Sequence, residues 1–318
     1  MTTQMQEFQR FLAENVPHRC SQTSAMIEFA AQCRGLETDR YDKRILLVTF
    51  PEATVPFVGL NGPDTSRIGH LLCTYADEQR QLWKKQGLRT ARYGVFATSQ
   101  PTRAERFAAN LGWPVTVRPA RFDGADGVTT HVRSAEEFRA AWQHARDAYV
   151  DHVGTKRILV EQRPAGEALS FYVVSGRVVA ATHRPSPEVA VDVTEEVDPR
   201  LATVAIDAVD ALPGLVHAEV TLIAPPPAVG SAAAGPGSDP AADAAEVPED
   251  EPFYVLYGVD CLQAPAGQFP TEGQPRDIGG AIIDHYLSAP RWRIPRTIPH
   301  QPITAGRPAP GWIVPAGA

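Results

Sequence analysis

The sequence predicts a mixed α+β and α/β fold, with a small N-terminal α/β unit over residues 1–86 and two α+β lobes over 87–155 and 156–288. Three observations carry that expectation. Apolar residues at helical spacing, Met26, Phe29, Ala30 and Cys33, precede two apolar runs of strand length, Arg44 to Phe50 and Val55 to Leu60. A Gly-rich turn over 122–127 separates strand patterns at 113–119 and 127–132. Strand-length runs then dominate, at 157–161, 169–174, 177–181, 215–223 and 253–257, with one helical segment among them.

Each element has a local cause. Met5 to Asn15 has helical character, and Ser21 to Arg34 shows it more strongly. Asn61, Gly62, Pro63 and Asp64 are turn chemistry, and a helix is expected from about Ser66 to Gln86, stopped by Gly87. Ser134 with Glu137 has capping-box spacing and should open a helix through about Val150. Ser175 and Gly176 turn a hairpin. Asp198 before Pro199 starts a helix running to about Leu212, because proline lacks an N–H that the first turn leaves unbonded anyway. The segment 225–252 is rich in Ala, Pro, Gly and Asp; it cannot bury enough apolar surface to order itself and reads as a disordered insertion in a hairpin. Pro275 to Leu287 is a last helix, and the Pro-rich tail over 289–318 reads as extended or partly disordered, with Trp292 and Trp312 able to dock it.

The composition mainly excludes. A net charge of −7 argues against a nucleic-acid or anionic-membrane partner. Cys20, Cys33, Cys73 and Cys261 form no CxxC pair, so neither a zinc site nor a disulfide framework is indicated, and reduced thiols in a cytoplasm are expected. The polar start lacks the regions of a signal peptide, and no apolar run approaches the roughly 20 residues that span a bilayer.

Chemistry-bearing residues recur in one order. Pro114-Val-Thr-Val-Arg118-Pro119 is followed by Gly124-Ala-Asp-Gly127-Val128 and by Ser134-Ala-Glu-Glu137. Then come Leu159-Val160-Glu161, the pair Gly166-Glu167, and a hairpin strand ending at Arg184. From about Gly87 to Leu287 this ordered set resembles the ATP-grasp carboxylate–amine ligases, nearest to the amino-acid and peptide ligases of bacterial specialised metabolism. The resemblance implies two lobes clamping ATP, with Mg²⁺, and a carboxylic acid (an amino acid or peptide) and an amine as substrates. It places Arg118 where the family lysine meets the α- and β-phosphates, and Gly124 to Gly127 in a flap over the triphosphate. Glu161 and Gln162 would line the adenine edge, Glu167 would reach the ribose, and Arg184 would neutralise phosphate or the acyl phosphate. Glu219 and Asp260 stand at the metal-ligand positions. A homodimer is left open.

Each residue also has a plainer reading. Arg118 can pair with an acid on the rim, and Gly124 to Gly127 can be an ordinary hairpin turn. Either of Glu219 and Asp260 can be a strand-end carboxylate, while Glu167 and Arg184 can be solvated charges. Glu161 in a mostly apolar strand is harder to explain structurally, and His217 reads as a hydrogen-bonded strand histidine rather than a base.

The chain also departs from the family pattern. The family's Asp-Lys falls in Tyr75-Ala76-Asp77-Glu78, without a lysine, and a second metal-binding Asn is replaced by Leu262, which cannot ligate a hard cation. Two functions are therefore in play: an active ligase, and a catalytically silent ATP-grasp protein acting as a partner or regulatory subunit. A Rossmann-type enzyme is disfavoured, since no G-x-G-x-x-G joins a strand to a helix.

Overall fold

The computed structural model describes residues 3–16, 20–51, 53–121, 126–149, 155–186, 188–225, 253–288 and 294–295. Three sheets, antiparallel throughout their strand pairs, organise the chain, so the α+β description holds and no parallel α/β sheet is present among the described residues. No described helix is long and apolar enough to cross a membrane.

The first sheet has the order β1–β2–β3–β13, from Glu37–Arg40, Ile45–Thr49, Ala53–Val58 and Ile294–Pro295. Alternate residues Leu46, Val48, Val55 and Phe57 turn inward. They meet Met26, Ile27 and Ala30 of α2 (Gln22–Cys33) and Ile278, Ile282 and Tyr286 of α8 (Ile278–Ser288), with Phe8 of α1 (Thr3–Asn15) closing the edge. The same core includes Tyr172, Val174 and Ala180 from the third sheet, so the N-terminal unit is built on that sheet. Gly279 permits the contact between α2 and α8: a Cβ there would lie 2.8 Å from the Met26 carbonyl oxygen.

The helix expected over 66–86 is two helices, α3 (Arg67–Thr74) and α4 (Ala76–Lys85). Tyr75 leaves the helical region at ψ 81°, and the Ala76 amide bonds the Ala120 carbonyl at 2.9 Å. Tertiary pairing of 75–76 with 120–121 overrides the helical propensity there. α4 then runs inward, with Trp83 fully buried and its Nε1 donating to the Ala208 carbonyl at 2.9 Å.

The second sheet, β4–β7–β5–β6, joins Tyr93–Ala97, Arg157–Gln162, Val115–Pro119 and Thr129–Val132. Val115, Val117, Ile158 and Val160 pack on α5 (Pro101–Leu111) and α6 (Ala135–Asp147). The third sheet, β10–β9–β8–β11–β12, joins Val189–Asp192, Arg177–Ser186, Glu167–Val174, His217–Ala224 and Val255–Asp260. Phe171, Val173, Ala218 and Val220 face α7 (Pro199–Asp210), whose N-cap is Asp198 as its Asp-Pro start implies. The expected insertion over 225–252 apart from residue 225, Gly124 of the expected flap, and the tail apart from 294–295 lie outside the described residues.

Candidate nucleotide and metal site

The face of the third sheet turned away from α7 is polar at one end. Residues two apart in a strand share a face, and register brings Ser170, Thr182, Glu219 and Thr221 together there. Arg184 follows Thr182 by two residues on β9, and Asp260 of β12 lies directly opposite Glu219 of β11. Directly opposed Cβ atoms in an antiparallel pair are about 5 Å apart, so the two carboxylates share one space.

The electrostatics reflect that crowding. Burial is the main cause that pushes the Glu219 carboxyl up to about 7; Arg184 opposes the rise and the Asp260 charge adds to it. Hydrogen bonds from Ser170 and the Ala266 amide favour the ionised form but do not reverse the shift. Asp260 Oδ1 accepts from the Leu262 amide at 2.6 Å and the Gln263 amide at 3.4 Å, which fixes the carboxylate at the strand end. Leu262 thus serves Asp260 through its backbone, while its side chain packs against the core on α7. Thr182, 1% exposed, has its Oγ1 buried without a partner among the described residues.

The inner face of the second sheet supplies the other wall. Arg118 opposes Leu159, and Thr116 opposes Glu161, placing Arg118 and Glu161 on one face. Glu161 is fully buried and receives two hydrogen bonds from Arg80 Nη2 and one from Nε, at 3.0 to 3.3 Å. Arg80 Nη2 also donates to the Tyr257 carbonyl of β12, and the Tyr257 hydroxyl lies 3.4 Å from Thr116 Oγ1. These contacts join the two lobes three residues from Asp260. Arg118 has no ion pair among the described residues, and its Nε is buried without a partner. Burial and the neighbouring Arg80 charge lower its pKa, with Glu161 opposing. A buried guanidinium nitrogen without an acceptor is costly, because it has given up its hydrogen bonds to water.

The remaining expected residues lie around this centre. Gln162 Oε1 accepts from Arg92 at 3.2 Å. Glu167 lies 3.8 Å from His183 Nε2. Gly127 adopts φ 74°, a left-handed conformation in which a Cβ would stand 2.7 Å from that of Ala148. His217 is fully buried, its Nδ1 2.8 Å from the Tyr172 hydroxyl, and burial lowers its pKa to about 4. The ring is therefore neutral and structural at neutral pH.

Sequence reasoning missed Arg80, which occupies Glu161. Among Asp77, Glu78 and Lys84 it reads as part of a solvated helix face, yet Trp83 three residues on marks the face that α4 buries. Asp77, also fully buried, pairs with Arg121 at 3.0 Å. Ser170 and Thr182 carried no signal beyond strand alternation.

Comparison with solved structures defines the class of fold. The structure is similar to a bifunctional glutathione synthetase from Pasteurella multocida, with a TM-score of 0.56 at 14% identity over 84% of this chain. The chain spans less than half of that protein, 44% of its length. Weaker likenesses are to the ATP-grasp ligase PsnB complexed with minimal precursor (TM-score 0.46, 15% identity, 70% of this chain and 63% of that one) and to a D-alanine–D-alanine ligase from Bacillus anthracis complexed with ATP (TM-score 0.44, 13% identity, 62% of this chain and 56% of that one). The fold assignment rests on the first: the chain has the ATP-grasp fold. No protein-family model and no curated sequence matches it.

Proposed function

We propose that the chain is an ATP-dependent carboxylate–amine ligase that forms an amide or peptide bond through an acyl phosphate, in the specialised peptide metabolism of bacteria. The observation that carries this reading is Glu219 directly opposite Asp260, beside Arg184, on the polar face of a sheet in the ATP-grasp fold.

The residues fit the groups that the reaction requires. Mg²⁺ is usually held by one or two carboxylates plus substrate phosphates and water, so Glu219 and Asp260 suffice as protein ligands. The Glu219 carboxyl is raised chiefly by burial, with the Asp260 charge adding to the rise, and a cation bound between the two carboxylates would favour the ionised form. Arg118, whose Nε is buried without a hydrogen-bond partner among the described residues, would hold nucleotide phosphate. Arg184 would stabilise charge on the phosphoryl group in transfer, and the amides around Gly127 would approach the triphosphate. The chemistry then requires positioning: a substrate carboxylate oxygen takes the γ-phosphoryl group as ADP leaves, and the amine nitrogen displaces phosphate from the acyl carbon. Because Arg80 occupies Glu161, adenine would be read by backbone groups of β7 and by Gln162 rather than by the Glu161 side chain.

That occupied Glu161, together with Leu262, is also what favours the second reading, a silent ATP-grasp protein. Calorimetry with a non-hydrolysable ATP analogue at millimolar Mg²⁺ tests the first. Binding that is weakened by Arg118→Ala and Asp260→Ala supports the ligase, whereas absence of nucleotide binding sinks it.

A further inference from the structure

The loop between β3 and α3 walls a second cavity, of about 380 Å³, in the N-terminal unit. Its lining is unlike an ordinary surface groove. Arg44 at the start of β2, Arg67 and His70 on α3, and the polar side chains Asn61 and Thr65 surround an apolar wall that includes Val58. Among the described residues none of Arg44, Arg67 and His70 makes a side-chain ion pair or hydrogen bond. The acids nearby are engaged: Asp42 accepts from the Arg44 and Ile45 amides at 2.7 Å each, and Asp64 meets His285 Nε2 at 2.7 Å.

Two further observations bear on what the cavity can take. Thr65 Oγ1 and Asn61 Oδ1 are buried with no hydrogen-bond partner among the described residues. Buried polar atoms in native proteins are nearly always paired, and an unpaired pair beside a cationic cavity calls for a polar occupant. Val58, meanwhile, is 45% exposed on the cavity wall, an apolar surface for the body of that occupant. One residue of the lining is bonded to the strand end beside the candidate site. Asn61 Nδ2 donates to the Cys261 carbonyl at 2.9 Å, and Cys261 follows Asp260 directly.

We propose that this cavity seats a non-reacting carboxylate of a small-molecule ligase substrate, held by Arg44 and Arg67 with His70. The assignment rests on the ligase reading for the word substrate, but the site itself is tested without nucleotide. A guanidinium pair matches a carboxylate bidentately, and the apolar wall selects against a bare inorganic anion.

The test measures binding of succinate, glutamate and inorganic phosphate to the full chain by calorimetry, in the absence of ATP and Mg²⁺. Succinate or glutamate should bind, and Arg44→Gln with Arg67→Gln should weaken it by at least about tenfold. Arg44→Lys with Arg67→Lys, which keeps both charges, should retain part of the affinity and shows that loss in the first variant is not misfolding. Arg139→Gln, which removes a cation on the exposed side of α6, should leave carboxylate binding unchanged, showing that the loss belongs to the cavity arginines and not to net charge. Unchanged affinity in the double Gln variant, no carboxylate binding at all, or phosphate binding as tightly as succinate would each overturn the assignment. Failure of nucleotide to bind in the separate experiment above would remove the ligase reading and leave this result standing.

Discussion

Arg80 of α4 and Glu161 of β7 form an ion pair at 3.0 Å, with side chains 1% and 0% exposed, where the second sheet meets the third. Removing two charges from water costs several kcal/mol, which such a pair recovers only while both partners are present. Arg80→Met alone should therefore destabilise the chain by about 3–5 kcal/mol, because Glu161 would be left buried and unpaired. Arg80→Met with Glu161→Leu should regain most of that loss, short of the bond to the Tyr257 carbonyl. Urea unfolding of both variants measures the difference, and an additive double variant would refute the pairing.

The Glu219 carboxyl, raised from 4.5 to about 7, gives a pH dependence with a definite sign. Its folded pKa lies above the unfolded one, so the stability it contributes is complete below about 4.5 and is lost as pH rises through about 7. Buried neutral His217 acts in the opposite sense, losing stability as pH falls from 6.5 toward about 4. The difference between the wild type and Glu219→Gln isolates the first effect. Without divalent cations, the wild-type urea midpoint should fall relative to the variant's between about pH 4.5 and about pH 7. Parallel curves would show that Glu219 titrates normally.

Gly127 should tolerate no side chain. Alanine there must adopt φ 74° and set its Cβ 2.7 Å from that of Ala148 and 3.0 Å from Pro119 Cγ. Strain and overpacking together should cost about 1–3 kcal/mol, read as a lowered Tm. An unchanged Tm would mean that the turn is free to rearrange.

The start of α6 offers a smaller, local test. Ser134 Oγ accepts from the Glu137 amide at 3.1 Å, and Glu137 Oε2 accepts from the Arg133 amide at 2.7 Å. Ser134→Ala should cost about 1 kcal/mol, and Glu137→Gln, which keeps the acceptor, much less. Equal losses would contradict the reciprocal cap.

That capping box, the Asp198-Pro199 start and the Ser175-Gly176 hairpin were legible because each is set by chemistry within four residues. The α3–α4 break was not, because Tyr75 is turned by pairing with Arg121, far along the chain. β4 and α5 also escaped: Tyr93–Ala97 is short, and Pro101–Leu111 has small residues on its buried side. Within the candidate site, the opposition of Glu219 and Asp260 follows from register, which strand patterns alone leave open. Glu161 was conspicuous as an acid in an apolar strand, but its partner lies 81 residues away and carries no sequence mark.

The core of the N-terminal sheet is completed by a helix that arrives last. Tyr286 reaches back across 222 residues to bond the Asp64 amide, and Ile278 and Ile282 fill the space under β2 and β3. During synthesis the first sheet therefore emerges with one flank open, and stays so until almost the whole described chain has left the ribosome. A chaperone or a stalled neighbour would meet that bare apolar flank in every nascent copy, and truncation before α8 should yield aggregates rather than a shorter folded chain.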